Sequence, residues 1–195
     1  MPNRRFSQAI SEGDGISIVA AVEDAEAART AEAQRAEALV VRGDPRAVRE
    51  ATTLPILWRA DVPLEEASDV ADAYLLVFEH HEDDEERLAE LHVQALQLGL
   101  DCVVDVRNEE ELDRALEALD PEIFLLSPRG ANGGQSPLET VLSMLPNVPA
   151  GKLAIADLQR TTRAEVLELE RAGFDAVIAR AANIAELAGS PTPEV

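Results

Sequence analysis

A single, compact α/β domain closed as a (βα)₈ barrel, the TIM-barrel architecture, is predicted by two patterns and one absence. Short apolar, β-branched runs alternate with helical patterns at a spacing of about 20 to 30 residues, and eight such runs can be counted in the 195 residues. The runs are almost continuously hydrophobic, as parallel strands covered on both faces are. No G-x-G-x-x-G segment follows any of them; Gly130, Gly133 and Gly134 come after the sixth run at the wrong spacing, which disfavours an open, doubly wound sheet.

The expected strands are 16–21, 38–41, 55–59, 73–78, 101–106, 123–127, 153–157 and 174–179. Helix starts between them carry their own chemistry. Asn108 with Glu111, Ser136 with Glu139 and Thr162 with Glu165 match a capping box, in which the first side chain accepts from an orphan helix N–H and the carboxylate reaches back. Pro45 and Pro137 stand at first helical positions, where proline forfeits no hydrogen bond. Leu88, Leu91, Ala95 and Leu98, and then Leu112, Ala115, Leu116 and Leu119, repeat at the spacing of a buried helix face. Gly99 and Gly173 follow helices immediately before strands, as C-caps do. A barrel of this length is slightly below the usual minimum of about 200 residues, and the shortfall falls on two units. Only about a dozen residues separate Val41 from Pro55, and 181–187 allow a shortened eighth helix. Residues 1–195 are read as one domain, with flexible ends at 1–14 and 189–195.

Composition narrows the chemistry. With 38 acidic and 17 basic residues the formal charge is −21, so the net field repels nucleic acid and acidic membranes, while a local basic pocket could still hold a small anion. No apolar run approaches the ~18 residues of a membrane span, and no apolar stretch follows the arginines of the N-terminus, so a cytoplasmic protein is expected. One cysteine, Cys102, leaves no intramolecular disulfide and no thiolate metal site. The one lysine, Lys152, precedes the seventh strand, at the barrel end where catalysis is not expected. Glu79-His80-His81-Glu82-Asp83-Asp84 has metal-ligand residue types. Adjacent histidines on a strand point to opposite faces, so the segment reads as a solvated acidic loop. No metal and no cofactor is expected.

Three segments carry a family resemblance. Leu54-Pro55-Ile56-Leu57-Trp58-Arg59-Ala60-Asp61, Leu98-Gly99-Leu100-Asp101-Cys102-Val103-Val104-Asp105-Val106-Arg107-Asn108-Glu109-Glu110-Glu111-Leu112 and Ala172-Gly173-Phe174-Asp175-Ala176-Val177-Ile178 resemble the third strand, the fifth strand with its following helix start, and the approach to the eighth strand of indole-3-glycerol phosphate synthase, a barrel enzyme of tryptophan biosynthesis. The resemblance implies a carbon-carbon lyase ancestry, but its catalytic pattern is largely substituted. The family's acid, a third-strand lysine, falls on Arg59, and the fifth-strand glutamate on Asp105. The sixth-strand asparagine falls on Leu126, and the seventh-strand Glu-Ser-Gly on Asp157-Leu158-Gln159. The glycine opening the eighth phosphate loop falls on Arg180. Arginine keeps its proton at neutral pH and is a poor general acid.

Function in a barrel is expected at the C-terminal strand ends. The polar residues there are Arg42, Arg59, Asp61, Glu79, His80, His81, Asp105, Arg107, Arg129, Asp157, Arg160 and Arg180. Two readings stand side by side. In one, Arg107, Arg129, Arg160 and Arg180 bind an anion, with Asp105, Asp157, Arg59 and His80 as catalytic candidates. In the other, the charges pair with one another, Arg59 with Asp105 or Arg180 with Asp157, and close an inactive mouth.

The expectation is therefore a divergent barrel of the indole-3-glycerol phosphate synthase type whose original chemistry is lost and whose rim binds a small phosphate or carboxylate metabolite. One alternative is an active lyase or isomerase on such a metabolite. Another is a non-catalytic, partner-binding subunit, a homodimer for example, because short second and eighth helices leave apolar strand surface thinly covered.

Overall fold

The computed structural model describes residues 6–13, 15–59, 63–81, 84–127, 136–158, 160–180 and 184–187. Eight parallel strands close on themselves in chain order: β1 Ser17–Val22, β2 Ala38–Val41, β3 Ile56–Trp58, β4 Ala73–Val77, β5 Asp101–Val106, β6 Ile123–Leu126, β7 Leu153–Ala156 and β8 Ala176–Arg180. A helix precedes β1, α1 Phe6–Ser11, and one follows each strand: α2 Ala25–Ala33, α3 Arg46–Ala51, α4 Leu64–Ser68, α5 Glu85–Gln97, α6 Glu109–Leu119, α7 Pro137–Met144, α8 Arg163–Ala172 and α9 Ile184–Leu187. The helices after the second and eighth strands are short, as the sequence predicts, at six and four residues. The helix after β3 is short as well, at five.

Side-chain alternation divides the apolar residues into two layers. Val19, Val40, Leu57, Leu75, Val103, Leu125, Ile155 and Ile178 fill the barrel interior. Their neighbours Ala20, Val41, Trp58, Leu76, Val104, Leu126, Ala156 and Ala179 pack outward against the helices. Each strand is thus apolar on both faces, which is why the runs read as continuous.

The helix ends behave as their residues dictate. Ser136 and Thr162 form complete capping boxes with Glu139 and Glu165, while the Asn108 side chain accepts from Glu111 N and donates to Glu111 Oε1. Gly99 and Gly173 have φ of +79° and +103°, where a Cβ would be strained. Leu98, expected on the buried face of α5, is 37% exposed, because it falls after the last helical residue.

A further device recurs at the N-terminal ends of the strands. Glu37, Asp72 and Asp175 stand immediately before β2, β4 and β8, and their carboxylates accept the N–H of Ile18 (2.8 Å), Ile56 (2.9 Å) and Ala154 (2.8 Å) on the preceding strand. Each acid satisfies a buried strand donor that would otherwise lack a partner.

The region 1–14, expected as a flexible end, contains α1. Phe6 and Ile10 are buried at 0% and 1% exposure and join the interior cluster beneath β1 and β2. Ser7 N donates to Asp101 Oδ2 at the start of β5 (2.8 Å) and Ser17 Oγ donates to Ile10 O (3.2 Å). The helix therefore seals the barrel bottom. Six residues do not hold a helix by propensity; burial of Phe6, worth about 1.5–3 kcal/mol, holds this one. The tail 189–195 lies outside the described residues.

Candidate functional site

The interior alternation continues upward to the mouth. Beyond Leu57, Val103, Leu125, Ile155 and Ile178, the next inward positions are Arg59, Asp105, Ser127, Asp157 and Arg180. The sequence resemblance places an asparagine position on Leu126, but Leu126 packs in the outer layer. Ser127, buried at 4% exposure, is the inward residue of that strand end. Counting by twos from Ile123 and Leu125 identifies it, and that signal is available in the sequence.

Arg59 bridges two carboxylates. Its Nη1 donates to Asp157 Oδ2 at 2.9 Å and its Nη2 to Asp105 Oδ2 at 3.2 Å. The side chains are 12%, 8% and 0% exposed for Arg59, Asp157 and Asp105, so the cluster is largely dry. Ser127 Oγ donates to Asp105 Oδ1. One guanidinium thus ties the ends of β3, β5 and β7 together. The pairing reading holds for Arg59, with Asp157 as well as Asp105 as its partner. It does not hold for Arg180, which makes no ion pair with Asp157.

Above this cluster, toward β1, lies a cavity of about 680 Å³, within the size range of metabolite sites. Its lining includes Arg42, Arg59, Ser127, Asp157, Thr161 and Arg180. Arg42 and Arg180 are exposed and form no ion pair with the described residues. A smaller recess of about 330 Å³ sits between the ends of β7 and β8, lined by Arg160, Thr161, Thr162 and Arg180. Arg160 is exposed there.

The remaining candidates stand apart. His80 lies in a 3₁₀ turn after β4, exposed, and does not line the cavity. Arg107 pairs with Glu79, a contact outside the cavity. Arg129, Asp61 and most of the glycine-rich segment after β6 lie outside the described residues. Among the described residues no group of three His, Cys, Asp or Glu side chains could hold a metal ion, and no helix is long and apolar enough to cross a membrane. Cys102 is buried in the outer layer, its thiol pushed up to about 12 by burial and the nearby Asp101, and it plays no part in the mouth.

Comparison with known proteins agrees with this architecture. An N-acetylmannosamine-6-phosphate 2-epimerase from Clostridium perfringens superposes with a TM-score of 0.74, covering 95% of this chain and 93% of that one at 13% identity, which shows the shared barrel fold. An indole-3-glycerol phosphate synthase from Geobacillus sp. (strain WCH70) is 32% identical over 143 residues, 70% of this chain and 54% of that protein. This chain therefore spans about half the length of that relative. The profile of the same family matches residues 17–182, from the first residue of β1 to just past the end of β8. The chain belongs to the indole-3-glycerol phosphate synthase family.

Proposed function

We propose that this family member has lost the ring-closing chemistry of the synthase and binds a small anionic metabolite, a phosphate or carboxylate compound, at the C-terminal mouth of its barrel. The observation that carries the reading is the bridging of Arg59 to Asp105 and Asp157. The position that the family resemblance gives to a proton-donating lysine holds a guanidinium, which does not release its proton near neutrality. Both carboxylates available as acid or base accept from that guanidinium. A group so engaged has its charge compensated, which suits structure better than proton transfer. Arg42 and Arg180, which line the larger cavity, remain available, and arginine's planar fork suits phosphate and carboxylate. Both relatives named above carry a phosphorylated compound in their names, which supports an oxyanion as the ligand.

The reading has a direct test. Incubated with carboxyphenylamino-deoxyribulose phosphate, the protein is expected to yield no indole fluorescence above background. In a thermal-shift series with sugar phosphates and carboxylates, a ligand present at ~100 times its dissociation constant adds about 2.7 kcal/mol of stability. Turnover abolished by Asp105→Ala would favour the other reading, an active lyase or isomerase with Asp105 and Asp157 as its acid and base. No shift with any anion would remove the binding role.

A further inference from the structure

We infer that the anion site is a two-arginine clamp, Arg42 and Arg180, that straddles β1, and that it takes the oxyanion head of a ligand whose hydrogen-bonding end reaches Asp157. The inference rests on the anion-binding reading above and assigns it a place, an orientation and a residue, Arg42, that the loops after β7 and β8 do not supply.

The register sets the geometry. Ala21 of β1 lies beside Val40 on one side and beside Arg180 on the other. Arg42 follows Val40 by two residues, one step further up. Strands lie about 4.8 Å apart and rise about 3.3 Å per residue. The backbones of Arg42 and Arg180 are therefore roughly 12 Å apart, within the combined reach of two arginine side chains. Between them stands Ala21, whose methyl group leaves the gap open, and all three residues line the cavity.

The charges of the lining leave these two cations available. Arg59 and Asp157 are paired with each other. Asp24 Oδ1 accepts from Glu26 N and Ala27 N at 2.9 and 2.8 Å, so that carboxylate caps α2. Glu23, exposed on the same lining, is the remaining acid and would repel a bound anion. Val40 and Ile178 contribute apolar lining, and Ser127 and Asp157, tied to the Arg59 cluster, contribute polar lining; Thr161 stands beside β8, its Oγ1 donating to Ile178 O. The cavity thus has a cationic rim, an apolar middle and a hydrogen-bonding end. A small oxyanion carried on a compact body with a hydroxyl or amino group fits that polarity. The Glu26 and Ala27 amides at the start of α2 are engaged by Asp24, and the Arg42 and Arg180 side chains supply the anion contacts.

The test is a backbone-amide NMR titration of the full chain with inorganic phosphate, repeated on Arg42→Gln, Arg180→Gln, Arg160→Gln and Glu23→Gln. These side chains are exposed, so the variants fold and their spectra verify it. Loss of one charge-assisted contact is expected to weaken binding about tenfold or more in R42Q and in R180Q. R160Q is expected to bind as the parent does, and E23Q to bind more tightly. Weak binding in R160Q with parental binding in R42Q would overturn the clamp and place the anion in the recess between β7 and β8, with the anion-binding function intact. No binding of phosphate or of a phosphomonoester such as glycerol phosphate by the parent would overturn the function and the clamp together.

Discussion

On the side of the mouth formed by β3, β5, β6 and β7, Arg59 is buried between Asp105 and Asp157 with Ser127 bound to Asp105. On the side formed by β8, β1 and β2, Arg180 and Arg42 stand exposed with no ion pair among the described residues. The two sides carry the same cationic group at equivalent, inward-facing strand ends, yet they differ in what faces it. Where β5 and β7 present carboxylates across the interior from β3, the guanidinium is held between them and desolvated. Where β1 and β2 present Ala21 and Val40, the guanidiniums of Arg42 and Arg180 remain exposed. The commitment of Asp105 and Asp157 to Arg59, rather than the arginine itself, separates a structural cation from one available to a ligand.

The largest test of this contrast is Arg59→Ala. It leaves two buried carboxylates facing each other without a cation, and it is expected to cost about 3–5 kcal/mol in urea unfolding. Replacing both acids as well, in Arg59→Ala/Asp105→Asn/Asp157→Asn, should return most of that loss. A cost below about 1 kcal/mol, typical of exposed pairs, would mean that the dry side is not dry. Next is Ser127→Ala, which takes a donor from buried Asp105 and is expected to cost about 1–2 kcal/mol by the same measurement.

The opposite end of the barrel gives a smaller, pH-dependent effect. Burial raises the pKa of Asp175 above 3.8, against the opposing hydrogen bond from Ala154 N. A carboxyl group with a raised folded value favours folding while protonated, so its contribution is present below the unfolded value and is lost as pH rises through the folded one. Asp175→Asn keeps an acceptor for Ala154 N and removes the titration. Its stability relative to the parent should therefore rise between pH 3.8 and neutrality, and the difference should vanish in acid. Denaturant midpoints at a series of pH values measure this; a gap that widened toward acid pH would reverse the sign and contradict the burial argument.

Much of this was legible before any coordinates. The eight strands follow from apolar runs with capping residues between them, because parallel strands buried on both faces have few other ways to look. The Arg59–Asp105 contact follows from two inward positions across one interior. Other features were hidden for physical reasons. A strand's side chains alternate, so placing the sixth-strand polar position on Leu126 instead of Ser127, an error of one residue, moved it to the wrong layer. Asp157 could pair with Arg59 or with Arg180 as far as spacing shows, and only the curvature of the closed sheet decides between them. Helix α1 has six described residues; it is held by the barrel floor, which no local pattern reveals. His80 has the right chemistry, but the turn after Val77 carries it out of the mouth.

The division of the mouth is tested most directly by the melting temperatures of the parent, Arg59→Gln and Arg180→Gln, each measured with and without saturating phosphate. The account predicts that Arg59→Gln melts well below the parent yet keeps its phosphate-induced rise, while Arg180→Gln melts with the parent and shows a much smaller rise. A phosphate response that disappears with Arg59 and survives without Arg180 would contradict it.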